Sequence, residues 1–410
     1  MRFVYPHYFH DFQCIADKCP DTCCAGWQIV IDDESMEHYE QYVGHFSDRL
    51  QKGIDWKQGC FKQGKNKRCS MLNDQNLCDM ILQMGENHLC RTCTLYPRHE
   101  EEFEGLREWS LAISCPVAAQ MVLTCEEPLH FLIEENDDDD PLIDEFDDFD
   151  FLLFTELEDA REVLYQVIQN RDLSIDDRMR IMLDLAVQLQ TCVEENRISD
   201  MQVCNDSARN VVGRTLLAGC DGAQRTGHRE SDSHAGASTH GASSADDFDI
   251  DDSIPDLSDP YERYSFLQEN FSVFSKLELM REDWQEVLDA ERDMLAGGVE
   301  NYAKLRESFE EAMEAEKWWP VFLENYLMTF VYTYFCGAVY DDWIDTKVLL
   351  AVISLLFTEE FIMNLWIKEG KITQDDCVKM AWRYVREVEH SDLNLNAMEE
   401  YLHAVLFSPA

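Results

Sequence analysis

Basic residues are scarce in this chain of 410: 34 Lys and Arg stand against 82 Asp and Glu, a formal charge of −48. A surface of that sign repels phosphates and anionic headgroups, which argues against nucleic acid and membrane surfaces as partners. It suits a cationic partner such as a lysine-bearing protein, or serves solubility alone. The opening Met1 to His7 contains no apolar run of the length a secretory signal needs. The most membrane-like stretch, Pro320 to Tyr340, carries Glu324, Asn325 and two threonines among its aromatic rings. It reads as a buried helix and not as a span. No Gly-x-Gly-x-Gly turn follows an apolar strand, which argues against an ordinary Rossmann nucleotide site. A Cys-x3-Cys-x2-Cys triplet is missing as well.

Cysteine is plentiful by contrast. Eleven of the 16 cysteines fall in the first 125 residues. Without a signal peptide the expected compartment is a reducing cytoplasm, where clustered thiols mean metal more often than disulfide. The first cluster is Cys14, Cys19, Cys23 and Cys24; the second runs through Cys60, Cys69, Cys78, Cys90 and Cys93; Cys115 and Cys125 lie beyond. Cys90 and Cys93 form a Cys-x2-Cys pair, a compact way to present two sulfurs to a soft metal. Zinc and iron–sulfur are both open to such a set, and a single pair of this spacing leans away from structural zinc. Neighbours such as Cys23 and Cys24 cannot easily ligate one metal together, so one of them binds a second site, packs or stays free.

The charge is uneven along the chain. Residues 1–130 carry 12 Lys/Arg and 20 Asp/Glu, which leaves −40 for the rest. The expected organisation is mainly α: a small irregular Cys-rich α+β metal-binding domain at 1–130 and a helical C-terminal half. An acidic linker at 131–150, with 11 acidic side chains and no basic one, precedes a helical region at 151–218. A low-complexity insertion at 219–255 includes His228, His234 and His240, and has too few large apolar residues to order itself. A helical domain at 256–410 follows. Within the first domain, Gln28 to Ile31 reads as a strand. Met36, Tyr39, Val43, Phe46 and Leu50 predict one helical face. Thr155 and Glu158 form a capping-box pattern, and Ile175, Met179, Met182, Ala186, Leu189 and Val193 a further helix. Trp318, Trp319, Phe322, Tyr326, Phe330 and Phe335 read as packed core.

The segments from Phe12 to Ile29 with Cys14, Cys19 and Cys23-Cys24-Ala25-Gly26-Trp27, from Gly85 to Arg98 with Cys90 and Cys93, and from Glu108 to Pro116 with Cys115, resemble three signatures of the flagellin lysine-N-methylase family. Leu323 to Leu327 resembles a helix of the same family more weakly. A shorter family of zinc- or iron-chelating modules is similar in the Cys-rich part. The resemblance implies a 4Fe–4S cluster and methyl transfer from S-adenosylmethionine to lysine amines of a flagellin-like protein. A non-enzymatic metal-binding module with a helical interaction domain is the rival. The expected ligand pool is Cys14, Cys19, Cys23, Cys24, Cys69, Cys78, Cys90, Cys93 and Cys115, more than one four-iron cluster takes. Arg98 is a candidate to hold a carboxylate of the methyl donor by a bidentate pair, the alternative being an arginine exposed on a turn. No residue is singled out as the catalytic base.

Overall fold

The computed structural model describes residues 1–138, 140–142, 146, 149–224, 250–251 and 253–406. The fold is mainly α with a small sheet. Its helices are α1 Asp33–Gln41, α2 Ser47–Gly53, α3 Asp79–Met84, α4 Arg91–Leu95, α5 Pro116–Leu123, α6 Phe151–Ile168, α7 Ile175–Glu194 and α8 Met201–Gln224. They continue with α9 Pro260–Phe274, α10 Gln285–Ala296, α11 Val299–Glu314, α12 Trp319–Tyr334, α13 Ile344–Glu369, α14 Gln374–Glu389 and α15 Asp392–Leu406. The strands are β1 Arg2–Pro6, β2 Ile54–Asp55, β3 Cys60–Phe61, β4 Arg98–Phe103, β5 Leu106–Leu111 and β6 Phe131–Glu135. The chain divides into two compact units, each discontinuous in sequence.

The first unit joins Met1–Pro141 to Ser272–Ala296 and Phe357–Glu400. Its sheet has the order β4-β5-β1-β6, with β1 parallel to β5 and antiparallel to β6. The β4–β5 hairpin turns at Gly105, whose φ of +69° an L side chain resists. The buried Arg107 and Asp140 side chains pair beside it. Beyond the sheet, Tyr39, Leu50, Ile54, Phe61, Met71 and Met80 build an apolar core under the cysteine loops. From the later segments, Phe274 stacks on Phe357 at 4.8 Å and lies 5.4 Å from Tyr384, while Trp284 meets Phe361 edge-on. The Cys-rich region is thus compacted together with pieces of chain some 150 to 370 positions further on.

The second unit comprises Leu142–Phe271, Gly297–Leu356 and Tyr401–Ala410. Ser174 caps α7 by accepting from the Asp177 N–H, and the periodic residues Met179, Met182, Ala186 and Leu189 are buried as expected. Helix α12 is buried along nearly its whole length, with Tyr326 stacked on Phe330 at 5.1 Å. The one charge noted there, Glu324, is held by Arg171 at 2.8 and 2.9 Å and by Arg178 at 3.5 Å. A paired carboxylate at that depth belongs to a protein interior.

Several local expectations change. The face predicted from Met36 to Leu50 is two helices, because the chain turns extended at Tyr42 and leaves Val43 95% exposed. Gln28–Ile31 pairs only through an isolated Val30–Cys60 bridge. Helix α6 starts four residues before the capping-box threonine: Asp150 caps it, and Thr155 donates its hydroxyl to the Phe151 carbonyl inside the first turn. Phe131–Glu135 pairs with β1, so the acidic stretch begins within the sheet. Among the described residues the helix with the length and apolarity to cross a membrane is α13, not Pro320–Tyr340, and it is mostly buried. Of 219–255, the first six residues continue α8 and Ile254 is buried; His228, His234 and His240 lie outside the described residues.

Candidate functional site

The described cysteines form no disulfides. Cys69, Cys90 and Cys115 are buried, Cys19, Cys23, Cys24, Cys78 and Cys93 are half-buried, and Cys14 is exposed. Short turns present them. Cys24 accepts the Cys69 N–H on its carbonyl at 2.8 Å, and Ala25 bridges Arg68, which ties the first cysteine loop to the second. Cys90 stands at the N-terminus of α4 with Cys93 one turn along it. Cys115 stands at the N-terminus of α5, where Pro116 supplies a fixed first-turn φ.

The thiols perturb one another. The Cys23 thiol is held down at about 7 by the adjoining Cys24 thiol against the cost of burial, with the Arg386 guanidinium assisting. Cys24 is pushed up correspondingly, by Cys23 and then by burial. Cys93 rises through its neighbour Cys90, and Cys90 falls. Burial pushes Cys69 and Cys115 up to about 11 each. Thiols this close and this dry need a cation to be stable as thiolates, which is what a metal core supplies.

The donor set is of the soft thiolate kind that both zinc and iron–sulfur groups take. Zinc thiolate bonds of about 2.3 Å bring tetrahedral sulfurs to roughly 3.8 Å from each other. Among the described residues, the one trio of possible ligand atoms lying within 4.8 Å of one another is His7, Glu127 and His130, and it contains none of these cysteines. A cubane spreads its thiolates wider than a single ion does.

Beside the cysteine loop lies a cavity of about 500 Å³, lined by Trp27, Lys67, Glu278, Glu389, His390 and Asp392 among others. Trp27 follows the Cys23-Cys24-Ala25-Gly26 turn, and its indole N–H donates to the Cys23 carbonyl at 2.7 Å. The Trp27 and His390 ring centroids are 4.8 Å apart, and Tyr96 meets His390 edge-on at 5.7 Å. Burial, with Arg386 nearby, lowers His390 to about 3, so its imidazole is neutral. Its Nε2 is buried with no protein partner.

Arg386 is the third element. It is buried, lies over the Trp382 ring at 4.8 Å, and donates through Nε to the Ser114 carbonyl at 2.7 Å. Through Nη1 it reaches Asp21 Oδ2 at 2.9 Å and the Thr22 carbonyl at 3.4 Å. Asp21 also accepts from Arg281 at 2.7 Å.

Arg98 stands on β4 with its guanidinium over Phe9 and Phe12, at 5.9 and 5.3 Å, and does not line the cavity. Arg386 and His390 are the residues that sequence reasoning passed over. The available signal was a charged residue inside the apolar face of α14, between Tyr384–Val385 and Val388.

A family model for the FliB lysine N-methylase C-terminal domain matches residues 237–410. The chain is 25% identical over 126 residues to the flagellar biosynthetic protein FliU of Salmonella muenchen, covering 29% of this chain and 75% of that protein. The same length at the same identity matches lysine-N-methylases of Salmonella choleraesuis and Salmonella typhimurium, where it covers 31% of each. The chain therefore spans about a third of those two enzymes in the matched region. No solved structure matches. The matched C-terminal segment, which includes Arg386 and His390, is thus similar to the C-terminal domain of FliB lysine N-methylases, and lysine-N-methylases are among the relatives of the chain.

Proposed function

We propose that this chain methylates lysine side chains of a flagellin-like protein, with S-adenosylmethionine as methyl donor and an iron–sulfur cluster on its cysteines. The observation that carries the reading is the cavity beside the cysteine loop, where Trp27 and a neutral His390 meet Glu278, Glu389 and Asp392. Carboxylates attract a lysine ammonium, and the face of an indole stabilises a cation worth about 0.5–2 kcal/mol. The flagellar name of one relative supports flagellin as the substrate class.

An ammonium must lose a proton before its nitrogen can attack. With a pKa near 3, His390 is too weak a base to keep that proton, which passes to a carboxylate or to solvent. The Glu389 and Asp392 carboxylates lining the cavity are acceptors for the remaining N–H groups, which orients the lone pair. The nitrogen–carbon bond then forms as the methyl–sulfur bond breaks, and the electron pair of that bond stays on the donor sulfur. The cysteines that would hold the cluster are Cys14, Cys19, Cys23, Cys24, Cys69, Cys78, Cys90, Cys93 and Cys115. When bound, the cluster supplies a one-electron redox centre.

The test is anaerobic reconstitution with iron and sulfide, incubation with S-adenosylmethionine and flagellin, and mass spectrometry of the flagellin lysines. Methylated lysine is the expected result. A fully loaded protein that leaves every lysine unmodified overturns the reading and returns the chain to a metal-binding module.

A further inference from the structure

A histidine pair outside both the cysteine loops and the cavity carries chemistry of its own. His7 follows the last residue of β1, and His130 immediately precedes β6. The pairing of these strands extends one step beyond them, since the His7 N–H donates to the His130 carbonyl at 3.0 Å. The two imidazoles are stacked, with centroids 4.3 Å apart and planes at 2°. The turn that brings in the second histidine is fixed at both ends. The Cys125 N–H donates to the Val122 carbonyl at 3.3 Å, and the Leu129 side chain is buried.

Three kinds of donor meet there. His7 Nε2 lies 4.0 Å from one Glu127 carboxylate oxygen, and His130 Nδ1 lies 3.9 Å from the other. Cys125 Sγ is 3.7 Å from His7 Nε2. Zinc bonds of about 2.0–2.1 Å to nitrogen or oxygen and about 2.3 Å to sulfur place tetrahedral donors roughly 3.3–3.6 Å apart. The thiol and His7 already stand near that spacing, and the other two distances close with shifts of about half an ångström. Glu127 and His130 are 64% and 51% exposed, so both can swing that far. The His130 Nδ1 contact with the Pro128 carbonyl at 3.2 Å is exposed and is given up in exchange.

A separate observation points to a ligand. His7 is the enclosed member of the group, its side chain only 14% exposed. Its Nδ1 is buried with no protein partner, and its Nε2 has only the long contact with the Cys125 thiol as a hydrogen bond. Enclosed polar atoms left in this way are accounted for by a bound water or ion. A cation on Nε2 is the interaction that this imidazole lacks.

We propose that His7, Glu127, His130 and Cys125 bind one zinc ion. Imidazole, carboxylate and thiolate together suit a borderline-soft divalent cation and not calcium or magnesium, which take oxygen. Cys125 binds as the thiolate, and its proton leaves to solvent. Four protein ligands leave no open position, so the ion is structural and clips the end of β1 to the turn between α5 and β6. The proposal does not depend on what the other cysteines hold.

The experiment loads the full chain anaerobically with iron and sulfide, so that the remaining thiols are occupied, then equilibrates it with zinc chloride and desalts it. Zinc and iron are counted, and the zinc X-ray absorption edge is recorded. Wild type should retain about one zinc per chain more than the His7→Ala/His130→Ala and Glu127→Ala variants, at equal iron. Its spectrum should contain imidazole scattering and a sulfur ligand. Glu127 is exposed, so its truncation tests the site without disturbing the core. Equal zinc in wild type and both variants overturns the proposal. A wild-type spectrum without imidazole scattering also overturns it, and that measurement needs no variant to fold. Zinc stripped from wild type by desalting marks an adventitious ion only, with the same consequence.

Discussion

The indole of Trp27 and the imidazole of His390 face each other with centroids 4.8 Å apart at 33°, on the wall of the cavity beside the cysteine loop. If this wall receives the lysine, Trp27→Ala should raise KM for the protein substrate about 3- to 30-fold, as lost cation–π attraction predicts. Iron content should be unchanged. Steady-state kinetics with metal analysis on the same preparation checks it, and an unaltered KM would move the substrate elsewhere.

His390 also gives a pH signature. Its folded-state pKa lies near 3 against an ordinary 6.5, so the unfolded chain binds the proton first. The stability it contributes is intact above pH 6.5 and is lost as pH falls toward 3. His390→Gln should flatten the acid limb of a urea-denaturation series across that window. An unchanged slope would mean that the imidazole is not kept neutral.

Glu387 works in the opposite sense. Burial raises it to about 7 from 4.5, although it accepts the Met280 N–H at 2.7 Å. Its contribution is therefore complete below pH 4.5 and is lost as pH rises through 7. Glu387→Gln should gain stability relative to wild type above neutrality, read as a urea midpoint that exceeds wild type by more at pH 8 than at pH 5. Equal differences at both pH values would refute the assignment.

Glu324 is buried between Arg171 and Arg178. Removing one member leaves an uncompensated charge inside the unit, which typically costs 3–5 kcal/mol, so Glu324→Gln should destabilise by about that amount. Chemical denaturation measures it. A loss below about 1 kcal/mol would mean that water relieves the arginines.

Association with the methyl-accepting protein should slow as salt rises, because −40 of the charge lies outside residues 1–130. Screening acts within about 8 Å at physiological ionic strength and falls mainly on the on-rate. Stopped-flow association across a salt series tests this; a flat on-rate would leave the acidic surface as a solubility device.

The amino-acid sequence made the thiol set, the helical class and the periodic face of α7 legible, since each follows from local spacing. It did not show what surrounds the thiols, because that depends on the turn between Thr22 and Trp27 and on what that turn packs against. Arg386 was hidden by distance: its partners Asp21 and Ser114 lie 365 and 272 positions earlier. The break between α1 and α2 was missed because Val43 matches an apolar period while facing solvent. Glu324 was visible as an oddity in an apolar run, but its two arginines are on another part of the chain.

The discontinuity of the first unit has a consequence for biosynthesis. A ribosome adds about 5–20 residues per second, so the 365 positions from Asp21 to Arg386 take roughly 20–70 s to emerge. For that interval the cysteine loops are outside the exit tunnel without the guanidinium that pins them and without the strands of chain that complete their unit. Nascent thiols are therefore open to iron donors, and equally to oxidants, before closure. If these thiols take a metal, delivery during translation, ahead of the last helices, is the order of events that this chain connectivity favours.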